Sequence, residues 1–326
     1  MSRIERKLNG RKDRIYPFYV LVLLIAIVVI WIMVFIKVGQ YENGSTKHLM
    51  QQVISNLEEE YGGEITYRRN SSTDGGILYD IYQDDEMLAT AMLNEREEKG
   101  MLGFSLYDIG EIKGAKSLSI LALSNEKAKL GDSKVSDLKV SGEGIYLPAL
   151  EALANHKTNT TCKVPKYNTY VLDEQFVLPK VTGDDVLLLD TDEGTLIAHE
   201  MSKARKEELK AWTEDFFNRY TYYVVSGKEF ENIADDIFYT SPIYNTVAKF
   251  RYLWDYYYNY EIEMKEFKFS DFIQYTDDIV SLRVQYHYTQ SLGRSKLDNR
   301  PDMNVYLYFN EGRWQIIEME ISEWTE

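Results

Sequence analysis

Four histidines and one cysteine are the side chains best suited to nucleophilic or metal chemistry in this chain of 326 residues. Their spacing arms neither. His48, His156, His199 and His287 are scattered singly, and with Cys162 they match none of the ligand spacings that zinc sites use. Asp190-Thr191-Asp192-Glu193-Gly194 begins like a calcium loop. An EF-hand needs Gly at loop position 6 and Glu at 12, where Thr195 and Met201 stand here. The segment reads instead as a hairpin turn between two strands. No catalytic residue, metal ligand or cofactor-binding residue is assigned, and no cofactor is expected.

Tyrosine is the unusual feature, with 26 in the chain. Tyr252, Tyr256, Tyr257, Tyr258 and Tyr260 crowd one short stretch around Trp254. At 3.6 residues per turn they cannot all face one core. Two readings stay open. Trp254, Tyr256, Tyr257, Tyr258 and Tyr260, with Tyr286 and Trp314, form a binding surface or cavity, since Tyr offers contact area with a polar tip. Alternatively the core is Tyr-rich, with hydroxyls reaching water. His287 alternates with Val284 and Tyr286 so as to share a strand face with Ser281, Arg283 and Gln285, opposite the apolar one. It reads as a surface histidine.

The element that positions everything else is Ile15 to Ile36, 22 consecutive uncharged residues. A hydrocarbon core needs about 20 apolar residues of helix to cross it. Arg3, Arg6, Lys7, Arg11, Lys12 and Arg14 precede the run, against Glu5 and Asp13. That bias keeps the tail cytoplasmic and sends the larger part outward. The run exceeds the roughly 7–15 apolar residues of a cleaved signal, and no A-x-A site follows it. An uncleaved anchor is expected. It carries no G-x-x-x-G, so it reads as a simple tether. Beyond Lys37 the chain holds 30 basic and 50 acidic side chains, a field that repels phosphate backbones and argues against nucleic-acid binding. One cysteine allows no internal disulfide. A disulfide-free outer part, rich in Tyr, Ile and Lys, points to a Gram-positive bacterium.

The expected organisation is a basic tail (1–14), a transmembrane helix (15–37), a polar stalk (38–46), a small α+β domain (47–114), a β-rich module (115–200) and a C-terminal domain (201–326). The fold class is α+β: helix plus antiparallel sheet, then the β-rich module, then helices on a curved sheet. Ser45 or Thr46 caps a helix carrying Leu49, Val53 and Leu57, which ends at Tyr61-Gly62-Gly63. Strands follow over Ile77–Tyr82, Met87–Leu93 and Met101–Ile109, with Asp84-Asp85 as a turn and Glu95–Gly100 as a loop. Shorter β-like runs occupy Ser117–Leu123, Thr169–Val171, Phe176–Val181, Val186–Leu189 and Thr195–Ala198. Leu209, Trp212, Phe216, Tyr220 and Tyr223 mark a helix over Ser202–Val225. A short helix near Ile233 follows. Ser241-Pro242 then starts a third, striped by Ile243, Val247, Phe250, Trp254 and Tyr257. The period switches to two at Val280–Tyr288 and Val305–Phe309. A bulge at Ile316-Ile317 would bring Met319 and Ile321 onto the face of Trp314.

Two or three helices followed by a curved sheet, ending in VYLYFNEGRWQIIEMEI with its Gly-x-Trp turn, resembles the nuclear transport factor 2-like fold, also called ketosteroid-isomerase-like or SnoaL-like. The resemblance covers about 202–326. Enzymes of that fold set an Asp base and a Tyr/Asp oxyanion pair in the hollow of the sheet. The overall layout resembles the teicoplanin-resistance-associated membrane proteins or the assembly factors of type IV secretion. The former begin with a zinc ribbon, and this chain has no CxxC. Together these features imply a single-pass, extracytoplasmic, non-catalytic component of a bacterial envelope that binds another envelope protein or a cell-wall component. The alternatives are an accessory subunit of a conjugation or secretion complex, and a small-ligand binder or enzyme using the terminal hollow.

Overall fold

The structure, a computed structural model, describes residues 3–73, 75–100, 103–157, 161–250 and 260–321, with side chains from Phe18 onward apart from Glu143. The chain is an α+β protein. It forms two compact units, Met1–Ser117 with Asp173–Leu178, and Leu118–Leu172 with Pro179–Glu326.

The first unit opens with helix α1 (Arg3–Asn43). Within it Phe18–Asn43, 26 residues, is long and apolar enough to cross a membrane. The segment expected as a stalk is helical as far as Asn43. Gly44 breaks α1, and Ser45 caps α2 (Thr46–Tyr61) by accepting the His48 N–H at 3.4 Å. Helix α2 buries Leu49, Met50, Val53, Ile54 and Leu57. They pack on a four-stranded antiparallel sheet, β1 (Ile65–Thr73), β2 (Gly76–Gln83), β3 (Glu86–Lys99) and β4 (Ser105–Gly114), in sequence order. Ile77, Tyr79 and Ile81 of β2 and Ala89, Ala91 and Leu93 of β3 meet the helix. Asp84 and Asp85 make the β2–β3 turn with φ of 49° and 67°, the left-handed pair that a two-residue hairpin requires.

Two elements of this sheet differ from expectation. Glu95–Gly100 is not a loop, because β3 runs on to Lys99 and pairs Glu95 with Tyr107 and Lys99 with Ser105. Arg96 pairs with Asp108 across the two strands, and Lys99 pairs with Glu95 along β3, so charged side chains stand where apolar cross-strand pairs are usual. Strand β1, polar from Arg68 onward, carries no alternation to betray it and is an edge.

The second unit is built on a ten-stranded sheet. Its strands are β5 (Lys116–Ala122), β8 (Gly142–Tyr146), β9 (Lys166–Gln175), β11 (Val186–Thr191), β12 (Gly194–Glu200), β13 (Glu261–Gln274), β14 (Ile279–Leu292), β15 (Ser295–Asn299), β16 (Asp302–Asn310) and β17 (Arg313–Ile321). The order is β17-β16-β14-β13-β12-β5-β9-β8, with β11 on β12 and β15 on β14. Strands β6 (Lys129–Leu130), β7 (Ser133–Lys134) and β10 (Val181–Thr182) form a small separate sheet. The large sheet runs across residue 200, where β12 joins β13 through His199↔Gln274 and Glu200↔Ile273. Asp192-Glu193 is the expected hairpin turn, with Thr191 opposite Gly194. Phe176–Val181 is not a strand. Pro179 cannot donate to a ladder, and only Val181–Thr182 pairs. Phe176 belongs to the first unit, stacked 5.4 Å from Tyr61.

Helix α3 (Pro148–Ala154) covers one face of the large sheet with Leu150 and Leu153. The other face carries α4 (Lys203–Ser226), α5 (Glu231–Ala234) and α6 (Pro242–Lys249). Ser202 caps α4 by accepting the Arg205 N–H at 3.3 Å, and Gly227, at φ 69°, ends it in the left-handed conformation. Ser241 and Pro242 start α6 as expected. Leu209, Phe216, Phe217 and Tyr223 pack on Val280, Leu282, Val284, Tyr286, Val305 and Leu307. The third-helix stripe is described through Phe250; Trp254 and Tyr257 lie outside the described residues. The bulge in β17 falls where the sequence places it. Glu318 pairs with Tyr306 and Ile316 with Leu307, leaving Ile317 extra. Met319 joins the core that holds Trp314, whereas Ile321, at the strand end, is 75 % exposed.

Candidate binding surface

Between α4 and the sheet lies an aromatic layer. Tyr286 sits 5.1 Å from Phe217, 5.4 Å from Phe267 and 5.9 Å from Tyr288, centroid to centroid. The alternation of β14 aims it inward, where only 5 % of it reaches solvent. Its phenol oxygen accepts from the Thr221 hydroxyl at 3.4 Å, and burial pushes its pKa up. Burial also pushes Tyr220 up to about 12, so neither phenol ionises near neutrality. Tyr223 donates to the Val247 carbonyl at 2.6 Å and ties α4 to α6.

Trp314 is buried as well. Its indole N–H donates to Glu208 Oε1 at 2.8 Å, its ring lies 4.9 Å from Phe309, and the Arg205 guanidinium stands 5.8 Å from the ring centroid. It pins the start of α4 to β17. Tyr260 is half-buried. Trp254, Tyr256, Tyr257 and Tyr258 lie outside the described residues. Tyr286 and Trp314 are therefore parts of the layer between helices and sheet. Among the described residues, an exposed aromatic cluster of this unit lies elsewhere. Tyr239, 74 % exposed between α5 and α6, packs edge-on against Tyr244 at 5.0 Å, and Tyr244 in turn meets Phe230 at 5.6 Å. Sequence reading passed over Tyr239 because no periodic stripe includes it.

On the opposite face of β14, His287 is half-buried, with Nε2 3.5 Å from Asp298 Oδ1 but no hydrogen bond formed there. Arg283 makes a two-pronged pair with Asp302 at 2.8 and 2.6 Å, and Gln285 adds a third bond to that carboxylate at 2.7 Å. Around α3, burial and then Asp278 raise the Cys162 thiol to about 12, which leaves it a poor nucleophile. Tyr275 shares a 3.1 Å hydrogen bond with Ser281.

Among the described residues one charged side chain is buried, Glu126. It accepts from Lys127 N at 2.7 Å and Ala128 N at 2.9 Å, and meets His199 Nε2 at 3.2 Å. It does not belong to the aromatic layer under α4. That layer is lined, among the described residues, by aromatic and aliphatic groups with Thr213, Thr221 and tyrosine hydroxyls, and no carboxylate is buried in it. Among the described residues no group of three His, Cys, Asp or Glu side chains is placed to hold a metal ion.

The class these features define is an α+β protein with one N-terminal apolar helix. No family model matches the chain, and no curated protein matches it. A solved structure described as "Ntf2 like protein involved in plasmid conjugation" aligns over 79 % of this chain and 75 % of its own, at 7 % identity and a TM-score of 0.25. A likeness that slight carries neither fold nor role across.

Proposed function

We propose that the chain is a single-pass membrane protein whose acidic outer part serves as a non-catalytic binding or scaffolding component of a bacterial cell envelope. The observation that carries this reading is the bare surface of α1. Trp31 is 64 % and Phe35 75 % exposed, and every residue from Phe18 to Val38 is exposed. An uninterrupted apolar cylinder of that length is stable only when lipid or a partner covers it. Retention of the six basic residues before it puts the C-terminal mass outside. The interior beneath α4 supports a binding role over a catalytic one, since buried Tyr and Phe occupy it and, among the described residues, no buried carboxylate stands ready as a base. In this reading 202–326 is a nuclear transport factor 2-like domain, and its partners bind its outer surfaces.

Protease added to intact spheroplasts tests the topology. A C-terminal tag should be lost while an N-terminal tag is kept. Survival of both tags until lysis would overturn the reading. Crosslinking in the same cells, followed by pull-down, separates a wall component from a subunit of a conjugation or secretion complex.

A further inference from the structure

The end of α1 and the tip of the β3–β4 hairpin are joined. Tyr107 N donates to the Gly44 carbonyl at 2.9 Å, directly where α1 stops. A Cβ on Gly44 would come within 3.0 Å of Leu106 Cδ2, so the absence of a side chain there permits the close approach. The hairpin closes with Gly100 N donating to the Phe104 carbonyl at 2.8 Å. Phe104, next to that closure, sets its ring 5.6 Å from the ring of Tyr41, on the last turns of α1. Both rings keep a face to solvent, Phe104 at 53 % and Tyr41 at 40 % exposed.

Helix geometry fixes the depth of this pair. The charge-free run ends at Ile36, and Tyr41 lies five residues further on, about 7.5 Å along the axis. The interfacial layer beyond the hydrocarbon is about 5–8 Å thick on each side. Tyr41 therefore falls at headgroup level when α1 spans the bilayer, and the hairpin tip is held at the same level. Aromatic side chains concentrate in that layer because it is half apolar and half wet.

We infer that Phe104 at the β3–β4 tip docks with Tyr41 into the headgroup layer of the membrane that α1 crosses, giving the first unit a second lipid contact. The occupant is a lipid surface because the patch is continuous with a lipid-crossing helix. The inference rests on the membrane-anchored reading above. Two attachment points would hold the four-stranded sheet at a set tilt to the bilayer, where a lone tether would let it swing.

The test is depth-dependent fluorescence on the full chain in phosphatidylcholine–phosphatidylglycerol vesicles. Phe104→Cys, Val29→Cys and Glu86→Cys carry an environment-sensitive label, and the unaltered chain shows that the buried Cys162 stays unlabelled. Phe104 lies outside the buried core, so its replacement spares the fold. Glu86 begins β3, some 40 Å of strand away from the tip. Lipid carrying a shallow acyl-chain quencher should dim the Phe104 label at least about twofold more than the Glu86 label, with its emission shifted to the blue. A Phe104 label that matches Glu86, while the Val29 label is quenched, overturns the docking and leaves the anchor standing. If the Val29 label also escapes quenching, the anchor reading itself fails.

Discussion

Glu126 and His199, 73 positions apart in the chain, meet across 3.2 Å between Oε2 and Nε2. The glutamate is the fixed partner, almost fully buried and clamped by two backbone N–H groups of its own loop, while the imidazole remains partly exposed. The contact ties the loop after β5 to the last residues of β12.

Glu126→Ala should cost about 1–3 kcal/mol, because a buried and a half-buried backbone donor lose their acceptor together. Glu126→Gln keeps one carbonyl acceptor and should lose less. Chemical denaturation of the detergent-solubilised chain measures both. Equal losses would mean that charge, and not acceptor geometry, holds the loop.

Trp314→Ala should cost about 3–5 kcal/mol through the hole it leaves beside Phe309 and α4. Trp314→Phe keeps most of the volume and loses the hydrogen bond to Glu208, so a loss of about 1 kcal/mol is expected. A thermal melt following the near-ultraviolet aromatic signal separates the two. A Phe variant as unstable as the Ala variant would make the indole N–H the main tie.

Cys162 should resist thiol reagents in the folded chain and react fully once denaturant is added. Its pKa of about 12 keeps the thiolate scarce at neutral pH, and burial denies access. Rapid modification under native conditions would contradict the packing around α3.

Alkali should destabilise the second unit. Tyr220 rises to about 12 from an ordinary 10.0, Cys162 rises to about 12 from 9.0, and Tyr286 and Tyr306 are raised in the same direction. A group whose folded pKa lies above its unfolded one is neutral in both states below the unfolded value. As pH climbs further, the unfolded chain ionises first and gains. Stability is thus intact below about pH 9 and falls between pH 9 and 12. Part of the tyrosinate absorbance, that of these buried phenols, should appear only in a step that coincides with loss of fold. Full tyrosinate absorbance reached before unfolding would place these phenols in water.

Much of the helices-on-sheet layer was legible because burial imposed a period. Val280, Leu282, Val284 and Tyr286 alternate since one face of β14 meets α4. The caps Ser45, Ser202 and Ser241 were legible because each hydroxyl satisfies an otherwise orphaned N–H. Most of strand β1 and the outer arm of β3 were not, since from Arg68 to Thr73 and from Asn94 to Lys99 the residues are solvated on both faces and leave no alternation. Pairings such as Thr195 with Ile120 join distant segments, and no local pattern encodes which strand finds which. Of the aromatic set, alternation placed Tyr286 correctly on the apolar face. It gave no sign that Trp314 would spend its polar atom on Glu208. The Glu126–His199 contact had no local signal at all, since neither residue belongs to a motif.

At the bulge in β17 two neighbouring isoleucines face opposite ways: Ile316 enters the core under α4, and Ile317 enters the one beneath α3. The final strand thus acts as a rivet through both layers of the second unit. A trimmed or displaced C-terminal strand would loosen the two cores simultaneously, so this unit should come apart in a single cooperative event and not layer by layer.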